Sequence, residues 1–354
     1  MSYKTKLKFL FLILICFIAY HTLMWFCITK EIFDRNDGMM IGDLGRLSYK
    51  INSYFPRKTE VTLPRTHDIL DSDFQMRQVD VITIGDSFSN GGGGGLNPYY
   101  QDYIQSDKNL TVLNIPIINE NYYKTLFSLI NSDLLEKLKP KYIILESIER
   151  RAVDRFAFDL DKFKNERSNL IAQKRAPSYL QTPKPFFINT LNYNSVLYRI
   201  AYRFNDHAFL SKVYYLKLDG DFFTSKDQSG LLFYYEDLYG LDKSNAENIA
   251  ALNRNLNEVQ GLLDRSGIKL YFMPMVDKYD LYYDHILNKK YGKSRFFELL
   301  RGENKRYVFV DTKEILNRLI KSGVKDVYFS DDTHMSTMAL KEIIDNMGFR
   351  VAEF

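Results

Sequence analysis

Cysteine and tryptophan are scarce in this chain of 354 residues, which has two cysteines, Cys16 and Cys27, and one tryptophan. Both cysteines fall in an apolar N-terminal stretch, so the rest of the chain has no means to form a disulfide, a thiol nucleophile or a cysteine-ligated metal site. The net charge of +4 is small for this length, and the sequence shows no basic stripe or RNA-binding signature. These absences argue against a disulfide scaffold and against nucleic acid as a partner.

Hydrophobic residues are plentiful, at 45% of the chain, which is enough for one large domain or two modest ones with a sizeable core. The 26 tyrosines and 26 phenylalanines indicate aromatic-rich packing and a surface suited to carbohydrate. The codon bias of an AT-rich genome explains the same composition, so the aromatic content alone does not decide between the two interpretations.

The N-terminus has the pattern of a membrane anchor. Lys4, Lys6 and Lys8 precede an apolar run over about residues 7–28, close to the roughly 20 residues that cross a bilayer. Because basic residues favour the cytoplasmic side, the N-terminus is predicted to be cytoplasmic. Residues 1–30 are therefore predicted to be a cytoplasmic tip and a transmembrane anchor, with the rest of the chain periplasmic or extracellular.

A cleaved signal peptide is the alternative for this segment. Such a peptide has a shorter apolar region that ends in small residues. Here the run ends in Trp25-Phe26-Cys27-Ile28, and the bulky residues before Cys27 also disfavour a lipoprotein acceptor. The pattern favours an uncleaved single-pass anchor.

Short apolar runs alternate with helical periodicity beyond residue 79, whereas residues 31–78 are mixed and polar and are predicted to be a stalk or lead-in. The predicted strands begin at Val79, Leu110, Tyr142, Ile268 and Tyr307. The helical patterns between them cover Asn121 to Leu138, Ser244 to Arg265, Lys313 to Lys321 and Ser336 to Met347. Alternating strands and helices predict an α/β domain over 79–354 with a mainly parallel sheet covered on both faces.

One segment, about 151–241, interrupts this alternation. It is rich in Tyr, Phe, Lys and Asn and contains Pro177, Pro183 and Pro185. We expect an inserted subdomain there, either a cap over the functional site or a peripheral structural element.

A candidate nucleophile follows the first predicted strand, in Gly85-Asp86-Ser87-Phe88-Ser89. A serine on a strand-to-helix turn presents its hydroxyl at the carboxyl edge of the sheet, where backbone N–H groups can face a developing oxyanion. Asp86 is expected to brace this turn. The five glycines that begin at Gly91 are predicted either to let the backbone approach a ligand or to form a flexible loop.

A candidate base lies about twenty residues from the C-terminus, in Ser330-Asp331-Asp332-Thr333-His334-Met335-Ser336. A serine nucleophile needs a base, and that base needs an orienting carboxylate. His334 supplies the imidazole, and either Asp331 or Asp332 would hold its other ring nitrogen. Helix capping would explain Asp332, Thr333 or Ser336, but it gives no reason for His334 in a chain with five histidines.

Together these two motifs resemble those of the SGNH (GDSL-type) hydrolase superfamily, in which Gly-Asp-Ser carries the nucleophile and Asp-x-x-His lies near the C-terminus. Ser87 matches the first motif, and Asp331 with His334 matches the second. The resemblance covers about 79–150 and 243–350 and implies a flavodoxin-like three-layer α/β/α sandwich.

The inner motifs depart from the hydrolase pattern. Asn114 stands in a region where the family has a glycine donor to the oxyanion, and Glu146-Ser147-Ile148-Glu149-Arg150 replaces Gly-x-Asn-Asp. These segments, with Met273-Pro274-Met275-Val276-Asp277-Lys278-Tyr279, look like the SGNH-like domains of alginate-type and other cell-surface polysaccharide O-acetyltransferases. Gly91, Asn114, Glu149 and Arg150 are therefore the candidate oxyanion or substrate contacts, although Arg150 would serve equally in a buried ion pair with Glu146 or Glu149.

The resemblance implies a membrane-anchored extracytoplasmic serine acyltransferase that O-acetylates a cell-surface or secreted polysaccharide through an acyl-Ser87 intermediate. It also implies an acyl donor supplied by a separate multi-pass membrane acyltransferase. No cofactor is expected, and no metal-ligand pattern occurs in the sequence. A carbohydrate O-acetylesterase of the same fold and a non-catalytic polysaccharide-binding or assembly protein remain the alternatives.

Overall fold

A parallel six-stranded sheet forms the centre of the protein. The computed structural model describes residues 2–29, 42–50, 63–93, 98–171 and 186–349. The sheet has the order β1-β3-β2-β4-β7-β8, and all its strands run parallel. Its strands are β1 (Asp68–Ile69), β2 (Val81–Ile84), β3 (Val112–Asn114), β4 (Tyr142–Ile148), β7 (Lys269–Met275) and β8 (Val308–Phe309). The remaining strands, β5 (Val213–Lys217) and β6 (Gly230–Tyr234), pair as an antiparallel hairpin.

Five of the six sheet strands were predicted from their apolar runs. The Val-Ile-Thr-Ile segment of β2 is buried along its whole length, as expected for a strand with both faces covered. The sequence pattern missed β1, because two residues in a polar segment carry no periodicity. Through β1, residues 63–78 of the predicted lead-in join the sheet beside β3. Residues 31–41 and 51–62 of that lead-in lie outside the described residues.

Helices follow most strands and cover the sheet. In chain order, the described α-helices of the whole chain are α1 (Tyr3–Met24), α2 (Asp43–Ser48), α3 (Tyr100–Asp107), α4 (Tyr122–Ile130), α5 (Leu134–Leu138), α6 (Glu149–Phe156), α7 (Leu160–Phe163), α8 (Thr190–Ala201), α9 (Glu236–Tyr239), α10 (Ala246–Leu263), α11 (Lys278–Tyr282), α12 (Phe296–Arg301), α13 (Thr312–Lys321) and α14 (Thr337–Asp345). Two groups form around the sheet: α4 and α10 both pack on α6, whereas α3 and α13 both pack on α14. Their apolar faces and the sheet share one continuous core.

Two helix predictions need adjustment. The pattern from Asn121 to Leu138 predicted one helix, but the structure has two, α4 and α5, separated by a turn at residues 131–133. The cap of α10 is Asn245, whose side chain accepts a hydrogen bond from the Asn248 N–H, rather than Ser244. Both Asn and Ser are good N-cap residues, so the sequence did not distinguish the adjacent positions.

The predicted insertion divides into two described parts. Its beginning, from residue 151, belongs to α6 and α7, which pack on the sheet domain through α4. Its second part contains α8 and the β5–β6 hairpin, against which α2 packs. Residues 172–185, which include Pro177, Pro183 and Pro185, lie outside the described residues.

One described helix is long and apolar enough to cross a membrane. It covers Tyr3–Cys27, and only 11% of its most apolar window is buried within the protein. At about 1.5 Å per residue, these 25 residues extend for about 37 Å, compared with a hydrocarbon core of about 30 Å. A signal sequence would also form such a helix.

Candidate active site

Ser87 lies in a tight turn at the carboxyl end of β2. The Ser89 N–H donates to the Asp86 carbonyl at 3.1 Å, and the Asn90 and Gly92 N–H groups donate to the Ser87 carbonyl at 3.2 and 2.7 Å. These bonds fold the chain back on itself, so the Ser87 side chain points away from the sheet and is exposed. Its place at the strand end is the one that the sequence predicted.

His334 approaches this serine from the loop before α14. Its Nε2 lies 2.8 Å from Ser87 Oγ, and its Nδ1 lies 2.7 Å from Asp332 Oδ1. The Phe88 ring packs against the imidazole with a centroid separation of 4.7 Å. A hydroxyl, an imidazole and a carboxylate joined in this order have the geometry of a serine nucleophile, its base and the group that orients the base.

The carboxylate beside His334 belongs to Asp332, the alternative in the sequence-based assignment. Asp331, the first choice there, accepts a hydrogen bond from the Gly42 N–H at 2.8 Å through Oδ2. The main-chain N–H of His334 also donates to Asp332 Oδ1, at 3.0 Å. Adjacent side chains in an irregular loop point in different directions, so spacing alone did not decide which aspartate faces the imidazole.

Asp43 adds a second carboxylate behind the imidazole. Its main-chain N–H donates to Asp332 Oδ2 at 3.1 Å, and its own carboxylate accepts the N–H and the hydroxyl of Thr333 at 2.8 and 2.5 Å. Burial and then the Asp332 charge raise the pKa of Asp43 above its usual value. Asp43 was missed from the sequence because it lies in the polar lead-in, far from either motif.

The charges around His334 favour its protonated form. Burial alone would lower the pKa of His334, but the hydrogen bond and charge of Asp332, with the charges of Asp43 and Asp86, raise it above 6.5. An imidazole with a raised pKa is a stronger base towards the Ser87 hydroxyl and is fully deprotonated only above that pKa. The arrangement therefore suits proton abstraction above the raised pKa of His334.

A buried lysine, Lys278, holds the loop that carries Asp332. Lys278 Nζ donates to the carbonyls of Phe329, Ser330 and Asp332 at 2.7, 2.9 and 3.2 Å. Burial lowers the pKa of Lys278 to about 8. Three main-chain bonds to one side chain fix the course of the loop, and therefore Lys278 positions His334 indirectly.

The glycine loop lies directly against the imidazole. A Cβ on Gly92 would lie 2.2 Å from His334 Nε2 and 2.8 Å from the Ser87 carbonyl oxygen. Only a residue without a side chain allows the loop to come so close to the base. Gly91 lies in the same turn, with the Tyr99 ring against it, while Gly94 and Gly95 lie outside the described residues.

A buried polar network supports the nucleophile turn from within the sheet. Glu146, on β4, accepts the Ser89 N–H and hydroxyl at 3.2 and 2.8 Å, and Ser89 Oγ also meets the Tyr100 hydroxyl at 2.9 Å. A Cβ on Gly85 would lie 1.9 Å from Ser89 Oγ, so the glycine makes room for this contact. Burial, followed by the charge of Asp86, raises the pKa of Glu146 well above its usual value.

Asp86 braces the turn, as the sequence analysis expected. Its Oδ2 accepts the Ile148 N–H at 3.0 Å and Arg155 Nη1 at 2.5 Å. Burial raises the pKa of Asp86, but the Arg155 charge and these hydrogen bonds outweigh it and leave the pKa below the usual value. These bonds tie the turn to both ends of α6: Ile148 is its N-cap residue, and Arg155 lies in its last turn.

The four candidate contact residues separate into two pairs. Gly91 and Asn114 lie at the strand ends around Ser87, and Asn114 lines the cleft beside it. Among the described residues, the Asn114 amide nitrogen contacts the Ser89 carbonyl at 3.5 Å and Asn90 Oδ1 at 3.4 Å. Asn114 itself is buried, at 2% exposure.

Glu149 and Arg150 lie elsewhere, in a buried cluster of charged groups. Glu149 accepts the Asp277 N–H at 2.8 Å and the Ser294 hydroxyl at 2.5 Å. Arg150 Nη1 lies 2.5 Å from Asp277 and 3.2 Å from Asp237. The expectation that both contact substrate is corrected accordingly, and the described ion pairs of Arg150 are with these aspartates and, at 3.9 Å, with Glu236 rather than with Glu146 or Glu149.

An open cleft begins at Ser87. It has a volume of about 950 Å³, and its walls combine aromatic, charged and amide side chains. The side chains that line it also include Tyr122, Arg151, Asp154, Arg155, Phe158 and Phe163. Arg151 and Arg155 are contact candidates that the sequence did not indicate, because they fall at the start of the predicted insertion.

A metal ion has one candidate position among the described residues. Asp43, Asp332 and His334 bring three potential ligand atoms within 4.8 Å of one another. These three residues are joined to one another by hydrogen bonds, and they also bind Thr333 and Ser87. The cluster is accounted for by these bonds, and it carries no metal proposal.

Comparison of the sequence with models of known protein families and with curated proteins finds no match. The resemblance to SGNH enzymes therefore depends on the short motifs quoted above and on the geometry that they form.

Proposed function

We propose that this protein is a serine acyltransferase that works through an acyl-Ser87 intermediate. The observation that carries the proposal is the hydrogen-bonded series Ser87 Oγ, His334 Nε2, His334 Nδ1 and Asp332 Oδ1, with links of 2.8 and 2.7 Å, at the mouth of an open cleft. The sheet order supports an SGNH-type fold, because β3-β2-β4-β7-β8 follows the 2-1-3-4-5 order of flavodoxin-like sheets.

The chemistry would run in two halves. In the first, His334 accepts the Ser87 hydroxyl proton while Oγ attacks the carbonyl carbon of an acyl ester, and the imidazolium then gives that proton to the departing alkoxide. In the second, His334 takes a proton from an acceptor hydroxyl, whose oxygen attacks the acyl carbon; the bond between the acyl carbon and Ser87 Oγ then breaks, and the imidazolium returns the proton to Ser87 Oγ. The Asn114 amide and backbone N–H groups of the turn are the candidate donors to the oxyanion in both halves.

A carbohydrate hydroxyl is the proposed acceptor. The cleft of about 950 Å³ is far larger than an acetyl group requires, and it presents aromatic rings beside charged and amide groups. Rings that stack on sugar faces and polar groups that bind hydroxyls are suited to a glycan. The resemblance to cell-surface O-acetyltransferases supports the same choice, with acetyl as the acyl group.

We also propose that Tyr3–Cys27 anchors the protein with its N-terminus in the cytoplasm and its catalytic domain outside. The support is the length and apolar character of the helix and the cluster of Lys4, Lys6 and Lys8 before it. An acyl donor for an extracytoplasmic enzyme must be delivered across the membrane, which suits a multi-pass acyltransferase as partner.

An esterase is the second candidate, because the exposed Ser87 is also accessible to water. Water in place of the sugar hydroxyl would hydrolyse the acyl-enzyme, with the same residues in the first half-reaction. The outcome in the cell distinguishes the two activities, because a transferase raises the acetyl content of the polysaccharide and an esterase lowers it.

The test is to replace the chromosomal copy with Ser87→Ala and measure polysaccharide acetyl content. We expect the content to fall, and a rise would indicate the esterase instead. Ser266→Ala, at an exposed position after α10, is the matched serine control and should leave acetylation unchanged. Unchanged acetylation in Ser87→Ala, together with undiminished labelling of the purified variant by a fluorophosphonate, would contradict the proposal.

A further inference from the structure

Helix α8 has an inverted arrangement of polar and apolar side chains. Its apolar residues recur at helical spacing, and Leu197 and Ile200 are 60% and 51% exposed, with Phe204 in the following turn at 76%. Its buried residues, by contrast, are Asn192 and Ser195. A helix on the surface of a soluble domain places its apolar side inward, so this face is suited to an apolar environment.

The segments on either side of α8 extend the apolar surface. They expose further large apolar side chains, namely Phe186, Phe187, Ile188, Phe209 and Leu210. We call α8 with these residues and Phe204 the apolar face. So many large apolar side chains exposed on one helix and the segments beside it mark a contact with a protein or a membrane.

The buried side of α8 is bonded to one end of the apolar helix α1. Asn192 Nδ2 meets His21 Nδ1 at 2.8 Å, and the Tyr193 hydroxyl meets His21 Nε2 at 2.7 Å. The Tyr20 hydroxyl donates to the Asn192 carbonyl at 2.6 Å, and Thr29 Oγ1 donates to Asn192 Oδ1 at 2.8 Å. These contacts fix α8 at the end of α1 that leads into the rest of the chain.

Aromatic rings concentrate at the same junction. Trp25 packs on Phe187 with a centroid separation of 5.8 Å, and Tyr20 stacks on Tyr193 at 6.1 Å. Tryptophan and tyrosine are the residues that accumulate at the boundary between lipid and water. If α1 spans the bilayer, the part of α1 that contacts α8 therefore lies at a membrane interface.

We infer that the apolar face lies in the interfacial layer of the bilayer, with the side chains of Leu197 and Ile200 among the acyl chains. The inference depends on the membrane anchor proposed above. An interfacial helix buries its apolar side about 5–10 Å into the boundary between headgroups and acyl chains. With α1 as the first attachment and α8 as the second, the domain is held at a fixed tilt instead of turning freely about a single helix.

The test uses the full chain reconstituted into vesicles of phosphatidylcholine and phosphatidylglycerol. Trp25 is the only tryptophan, so Trp25→Phe gives a silent background for single-tryptophan variants. Leu197→Trp probes the apolar face, and Met338→Trp is the control, because Met338 is also an apolar side chain, 45% exposed, but lies on α14. Quenching by lipids brominated on their acyl chains then reports contact with the bilayer interior.

We expect brominated lipid to remove about half or more of the Leu197→Trp emission and almost none of the Met338→Trp emission. An unquenched Leu197→Trp would overturn the inference. So would efficient cross-linking of two copies through Leu197→Cys in a Cys16→Ala, Cys27→Ala background, because the apolar face would then be a dimer interface. An intact mass that lacks the N-terminal helix would overturn it as well.

The proposed acyl transfer and the proposed membrane contact can be refuted independently of each other. Ser87→Ala is expected to abolish acyl transfer and leave the Leu197→Trp quenching unchanged. Quenching without any effect of Ser87→Ala on acetylation would contradict only the proposed function. Loss of acetylation in Ser87→Ala with an unquenched Leu197→Trp would contradict only the membrane contact.

Discussion

Replacing Gly92 with alanine adds one methyl group at the point where the glycine loop touches His334, the proposed base. That carbon would lie 2.2 Å from His334 Nε2, 2.5 Å from His334 Cδ2 and 2.8 Å from the Ser87 carbonyl oxygen. Non-bonded carbon atoms prefer separations of about 3.5–4.0 Å, so the loop or the imidazole must move by roughly 1 Å.

A shift of the glycine loop alone cannot relieve this clash. The Gly92 N–H donates to the Ser87 carbonyl at 2.7 Å, and His334 is held by Asp332 on its far side at 2.7 Å. A displacement of about 1 Å between a base and its nucleophile costs on the order of 10²-fold in rate. We therefore expect kcat/KM of Gly92→Ala to fall by about 10²-fold, equivalent to about 2.7 kcal/mol of transition-state stabilisation.

Hydrolysis of p-nitrophenyl acetate by the purified full-length protein measures this loss, and circular dichroism measures the thermal midpoint. The midpoint should fall by only a few degrees, because the added methyl group displaces surface groups and leaves the core intact. Gly292→Ala is the matched control, since an added Cβ there meets nothing within 4 Å. Gly92→Ala activity within about twofold of the wild type would refute the close approach of this loop to His334.

Four further predictions concern the groups around Ser87. Asp332→Asn should lower kcat by about 10³–10⁴-fold, whereas Asp331→Asn, whose carboxylate binds the Gly42 N–H instead of His334, should cost less than about tenfold; equal losses in the two variants would contradict the assignment. Because the pKa of His334 is raised, activity should increase with pH through a midpoint above 6.5, and Asp332→Asn should move that midpoint to lower pH. Asn114→Ala should lower kcat by about 10²-fold with little change in KM if its amide binds the oxyanion, and a change confined to KM would exclude that role. Since the pKa of Glu146 is raised, its contribution to stability is present below the usual glutamate pKa of 4.5 and is lost as the pH rises through its folded-state pKa. The thermal midpoint of Glu146→Gln minus that of the wild type should therefore increase from pH 5 to pH 8, and a difference that stays constant would contradict this.

Local pattern was sufficient for the main elements of the fold. Five strands were predicted, together with the segments that form α4, α5, α10, α13 and α14, because buried parallel strands are apolar throughout and the helices repeat at 3.6 residues. The position of Ser87 followed in the same way, since a Gly-Asp-Ser turn after a strand must lie at the carboxyl edge of the sheet. By contrast, β1 was missed because two residues are too few to show any period.

The partners of the nucleophile were less accessible to sequence analysis. His334 was identified from its motif, but which aspartate faces it depends on the course of one irregular loop. Asp43 and Lys278 reach this loop from distant parts of the chain, and a group brought in by folding leaves no mark in the spacing of its neighbours. Glu149 and Arg150, chosen from their motif, turn instead into a buried ion-pair cluster.

The sequence by itself determined the α/β class, the apolar N-terminal helix and the nucleophile turn, because each depends on residues close together in the chain. Only the tertiary structure selected Asp332 over Asp331, placed Gly92 against His334 and turned the apolar side of α8 outward beside α1. These features depend on contacts between segments up to about 290 residues apart, as in the bond between Asp43 and Thr333. Such contacts are set by packing in three dimensions, which local composition and periodicity do not encode.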